Sequence, residues 1–88
     1  MNYFIAIMKT IDPAKDEAIR KEHIDYLNDL IEKGNIIAKG PFTDHSGGLI
    51  IFRAESLEEA QQLADNDPAA IEKTREFILK EWRSTLEV

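Results

Sequence analysis

The chain predicts an α+β domain of βαββαβ order, and three observations carry that prediction. Two helix-start signatures each lead into an apolar stripe of helical period. Four short runs rich in strand formers lie around them. The strands are apolar on both sides, so the sheet has more apolar surface than two helices cover. Together these describe an antiparallel, ferredoxin-like sheet with two helices on one face.

The first strand is Tyr3 to Lys9, which ends shortly before Asp12-Pro13. Asp at N-cap and Pro at the first helical position open a helix there, because the Asp oxygen satisfies a free N–H and Pro has none to lose. The helix is expected to run unbroken to about Lys33, with Gly34 placed to end it. Asn35 to Lys39 reads as a short second strand closed by Gly40-Pro41. The turn-rich Phe42 to Gly48 joins it to a third strand, Leu49 to Arg53. Ser56 and Glu59 form a capping box that opens a second helix reaching about Asp65, with Leu57, Ala60, Leu63 and Ala64 on its apolar face. Asp67-Pro68 begins a short helical turn over Pro68 to Lys73. The last strand runs from Glu76, or already from Thr74, to Arg83.

Tyr3, Ile5 and Ile7 alternate with Phe4, Ala6 and Met8, and Leu49 and Ile51 with Ile50 and Phe52. An antiparallel sheet with helices on one side only would put polar residues on the other. The economical cover for a second apolar face is a second copy of the same sheet, which predicts a homodimer of the dimeric α+β barrel type. Size points the same way. Residues 1–88 are expected to form one domain, and a chain this short buries only about 60–65% of its unfolded surface. Oligomerisation is a common way to enlarge such a core.

Composition excludes several chemistries. There is no cysteine, hence no disulfide, thiolate metal site or cysteine nucleophile. The net charge of −6, with scattered Lys and Arg, argues against a nucleic-acid surface. Met1 to Met8 is apolar but short and lacks a positive leading region. It reads as a strand, not a signal peptide or membrane span, and a cytoplasmic location is expected.

His23 is the residue that raises the question of function. It interrupts the stripe Ile19, Tyr26, Leu27, Leu30 and Ile31, so the imidazole faces the core side of the first helix. Imidazole suits proton transfer near neutral pH. Two readings are open, a buried histidine satisfied by a neighbour and a histidine lining a cavity. Asp67 has its own ordinary explanation, because Asp67-Pro68-Ala69 repeats the capping chemistry of Asp12-Pro13-Ala14. Asp44, His45 and Ser46 lie in the turn and supply polar groups, chiefly for the turn itself. His23, His45 and Asp44 lack diagnostic metal-ligand spacing, so neither metal nor cofactor is expected.

His23 in H-I-D-Y-L, Gly40-Pro41 in A-K-G-P-F and Asp67-Pro68 in A-D-N-D-P occur in an order and spacing that resemble the YciI-like (YCII-related) family over nearly the whole chain. The resemblance implies a dimeric α+β barrel with a pocket near the sheet. It implies active residues matching His23 and Asp67, with Asp67 orienting the imidazole. It also implies, in part of the family, lyase activity on chlorinated aromatic compounds. Family members often carry an aromatic residue after the Asp-Pro pair, where this chain has Ala69-Ala70.

The expected function is a small enzyme using His23 and Asp67 as a general acid/base pair on a small organic substrate, of lyase or isomerase type. Tyr26, Gly40, Pro41, Asp44, Ser46 and Pro68 are the expected pocket residues. The alternatives are a non-catalytic dimeric module binding a small ligand or partner, and a haem-binding barrel with His23 as axial ligand.

Overall fold

In the computed structural model, which describes residues 1–87, the elements follow the order β1 (Asn2–Thr10), α1 (Pro13–Ala18), α2 (Arg20–Glu32), β2 (Ile36–Pro41), β3 (Gly47–Ala54), α3 (Leu57–Asp65), α4 (Pro68–Ile71) and β4 (Arg75–Glu81). A 3-10 turn over Thr85–Glu87 follows. The sheet is antiparallel with strand order β2-β3-β1-β4. This is the ferredoxin-like α+β architecture. Among the described residues no helix is long and apolar enough to cross a membrane.

The caps form where local chemistry places them. Asp12 accepts from the N–H of Lys15, and Ser56 Oγ accepts from that of Glu59 at 3.1 Å. Gly34, at φ 85°, ends α2 in a Schellman motif: Asn35 N–H reaches Leu30 O at 2.9 Å and Gly34 N–H reaches Ile31 O at 3.1 Å. Lys73 takes the same left-handed role after α4, at φ 57°, so Thr74 N–H returns to Ala69 O.

Three differences from the sequence reading bear on the site. The first helix is not continuous, because Ile19 (φ −101°, ψ 11°) separates α1 from α2. The hydrogen-bond ladder crosses that residue, from Ile19 N–H to Lys15 O and from His23 N–H to Ile19 O, so the helix bends rather than stops. The cause is tertiary. Ile11 and Asp12 N–H both bond Thr74 O, and Asp16 is tied to Thr74 and Arg75, so α1 is fixed to the start of β4, whereas α2 packs on β2 and α4. Second, β2 extends to Pro41 and carries a register shift between Ile36 and Ala38. Third, β4 spans Arg75–Glu81, with Thr74 before it.

One face of the sheet packs on the helices. Phe4, Ala6 and Met8 of β1 and Ile50 and Phe52 of β3 meet Leu27 and Leu30 of α2 and Ala60 and Ala64 of α3. Ile31, expected on the apolar stripe, is exposed instead, because the stripe narrows toward the end of α2. The opposite face carries half-buried Tyr3, Ile5, Ile7, Leu49 and Ile51, and Ile78 is 51% exposed.

Gly47 stands where the backbone of β1 leaves no room for a side chain. A Cβ there would lie 1.8 Å from Met8 O, a backbone atom with no freedom to move aside. Gly47→Ala is expected to destabilise the protein by about 1–3 kcal/mol, read as a lower urea midpoint with unchanged slope.

Candidate functional site

His23 lies in the first turn of α2, on the stripe that buries Leu27 and Leu30 below it. Asp67 is the N-cap of α4, with Pro68 after it. The chain crossing between α2 and α4 brings these residues together from 44 positions apart, with His23 Nδ1 2.6 Å from Asp67 Oδ1. His23 is 5% exposed and Asp67 1%. With a carboxylate as acceptor the shared hydrogen belongs to Nδ1, and in the neutral imidazole Nε2 then carries the lone pair.

Asp67 caps and pairs at once, but not with one oxygen for each task. Oδ1 takes both bonds, from His23 and from Ala69 N–H at 2.9 Å. Oδ2 is buried without a hydrogen-bond partner among the described residues. Ala69, which donates that N–H, is itself fully buried.

The imidazole lines a cleft of about 560 Å³ between the bent helix and the β2 side of the sheet. Its walls come from Met8 and Thr10 of β1, Pro13, Asp16 and Glu17 of α1, and Arg20, Ile24 and Leu27 of α2. Lys39, Gly40 and Pro41 of β2, His45 of the turn, Gly47 of β3 and Arg75 of β4 complete them. Gly40 and Pro41 thus share the cleft with His23.

Tyr26, Asp44, Ser46 and Pro68 do not line it. Tyr26 Oη donates to Leu63 O at 2.6 Å, which turns the ring toward α3. Burial and the charges of Asp67 and Asp29 push its phenol up to about 12, so it remains a donor at neutral pH. Asp44 accepts from the N–H and hydroxyl of Ser46 and closes the exposed turn. Pro68 begins α4 behind Asp67. His45, with φ 65°, is the turn residue that reaches the cleft. Among the described residues no three His, Asp or Glu side chains gather as a metal site.

Sequence reasoning missed the pair opposite His23. Arg75 grips Asp16 with two bonds, Nε to Oδ1 at 2.9 Å and Nη2 to Oδ2 at 3.0 Å, and Thr74 Oγ1 adds a third at 2.8 Å. A separation of 59 residues and ordinary surface types at both ends leave no local signal for it. Burial works against the Asp16 charge. The hydrogen bonds from Arg75 and Thr74, with the charges of Arg75 and His23, outweigh it and hold Asp16 below the usual carboxylate range.

The profile of the YCII-related domain matches residues 1–83. The uncharacterized protein YjpA of Bacillus subtilis (strain 168) is 31% identical over 85 residues, which cover 92% of this chain and 93% of that protein. Among solved structures, the 5-chloro-2-hydroxyhydroquinone dehydrochlorinase TftG of Burkholderia phenoliruptrix AC1100, in complex with 2,5-dihydroxybenzoquinone, aligns with a TM-score of 0.80. That alignment covers 97% of both chains at 23% identity, a likeness of fold.

The lowered Asp16 has a consequence for acid stability. Its folded pKa lies below its unfolded one, so the stabilisation is complete above the unfolded value and is lost as pH falls through the folded one. Between about pH 5 and pH 3 the urea midpoint is expected to fall more steeply for the wild type than for Asp16→Asn. Parallel profiles would show that the Arg75 pair contributes no linkage.

Proposed function

This chain belongs to the YCII-related family, and on that premise we propose that it is an enzyme in which His23 moves a proton to or from a small organic substrate held in the cleft. The observation that carries this reading is the 2.6 Å bond from His23 Nδ1 to a nearly inaccessible Asp67, on a ring whose other nitrogen has a cleft beside it. A fixed tautomer with Nε2 free is what a general base needs, and the carboxylate then stabilises the imidazolium.

In the forward step Nε2 takes a proton from a substrate O–H or C–H. The electron pair left behind either expels a leaving group as its anion from a carbon conjugated with that position, His23 then passing the proton to solvent, or shifts within the substrate so that His23 returns the proton to another atom. The first route is an elimination, the second an isomerisation. Elimination is the reaction class named for the similarly folded dehydrochlorinase, which supports the lyase reading and an aromatic substrate. Asp67 is a positioning residue in this scheme. Its hold on α4 through Ala69 N–H fixes the height of the imidazole above the cleft.

We further propose that the working unit is a homodimer joined through the outer sheet face, where β1 and β3 present Ile5, Ile7, Leu49 and Ile51. A shallow groove of about 270 Å³ lined by Ala38, Gly40, Leu49 and Ile51 continues that apolar surface to β2.

The substrate trial begins with 5-chloro-2-hydroxyhydroquinone, followed by chloride release, and extends to other compounds until turnover is found. On that substrate His23→Ala is expected to lower kcat by about 10²-fold or more, and Asp67→Asn by about tenfold or more. Unchanged kcat in His23→Ala overturns the mechanism. For the assembly, sedimentation is expected at twice the 10.1 kDa chain mass, and Ile51→Asp is expected to yield a folded monomer. A wild-type monomer at micromolar concentration overturns the dimer.

A further inference from the structure

The chain is acidic, with a net charge of −6, yet the cleft beside His23 is not. Its Asp16 is neutralised by Arg75. Of the side chains lining it, what remains is two cations, Arg20 and Lys39, against one exposed carboxylate, Glu17, with the Asp67 carboxylate buried behind His23. The lysines at 15, 21 and 33 are engaged by Glu72, Asp25 and Asp29. Arg20 and Lys39 form no ion pair among the described residues.

Lys39 reaches the cleft through an irregularity in β2. Plain alternation from the buried Ile36 would turn Ala38 and Gly40 toward the helices and Lys39 away from them. The register shift between Ile36 and Ala38 reverses that phase, so Lys39 faces Ile50, which is fully buried on the helix side. A bulge of this kind re-aims one side chain. Here it turns a half-buried lysine, with no carboxylate partner among the described residues, inward on the side of His23. Turning a cation inward has an electrostatic cost that a bound anion would offset.

We propose that the cleft selects an organic oxyanion, a carboxylate or an ionised phenol, through Lys39 and Arg20. The apolar body of the ligand lies against Met8, Ile24 and Leu27 beside His23. This inference rests on the reading of the cleft as the substrate site and adds the charge class of the substrate. The acidic surface outside the cleft would repel the same anion, so selection falls to these two side chains.

The test uses two matched pairs of probes on the full chain, by calorimetry and amide NMR. They are benzoate against benzamide, and 2,5-dihydroxybenzoquinone against its neutral 2,5-dimethoxy analogue. At least one anion is expected to bind about tenfold or more tightly than its neutral partner, less so as salt rises. The pair that shows the preference identifies the group as carboxylate or phenolate. Lys39→Met, which keeps the alkyl stem, and Arg20→Gln are each expected to reduce the preference about three- to tenfold with Tm unchanged. Anions binding no more tightly than the neutral probes, or not at all, overturn the inference. Full preference retained in Lys39→Met also overturns it. His23→Gln separates the two claims, since it should keep anion preference and lose turnover. If it keeps both, proton transfer by His23 fails and anion selection stands. If turnover needs His23 and the anion preference is absent, only the inference falls.

Discussion

Asp67 Oδ1 accepts two hydrogen bonds at once, and the geometry of the cleft depends on that double use. The bond from Ala69 N–H holds the carboxylate at the start of α4, and the bond from His23 holds the imidazole to the carboxylate. A side chain that only capped would leave the histidine free to turn. One that only paired would sit on an uncapped helix end. Placing both duties on one oxygen leaves Oδ2 buried and, among the described residues, without a partner, a cost the fold carries at this point. Uncompensated polar groups of this kind are more often tolerated where chemistry is done than in an ordinary core.

A second tie, from Asp16 to Thr74 and Arg75, sets the opposite wall. It holds α1, ahead of the break at Ile19, to the start of β4, and Asp16 and Arg75 line the cleft they share with His23. The left-handed Lys73 returns the chain after α4 so that Thr74 can reach Asp16. The two carboxylates therefore have different tasks. Asp16 is saturated by three donors and is structural, whereas Asp67 has one oxygen committed to the histidine. Lys39 and Arg20, which form no ion pair among the described residues, line the same cleft.

Much of the scaffold was legible from short-range chemistry. The caps at Asp12, Ser56 and Asp67, the stop at Gly34 and the two-faced alternation of β1 and β3 are properties of a few neighbouring residues. They fix element order with little help from the rest of the chain. His23 was legible as an anomaly because a polar ring on an apolar stripe stands out. Tyr26, Asp44, Ser46 and Pro68 were legible only as polar or special residues near the right places. Their side chains are spent on Leu63, on the turn and on the start of α4, which no spacing reveals.

The sequence by itself determined the elements, their order, the apolar sheet faces and the one histidine that does not belong in a core. These follow from hydrophobic period and capping, which act over a few residues. Tertiary structure alone decided that the first helix bends, that Asp16 meets Arg75, and that one oxygen of Asp67 serves both helix and imidazole. It also decided that a slipped register in β2 turns Lys39 inward. Each of these is a contact or phase set by chain segments far apart in sequence, and its free energy exists only once the segments meet.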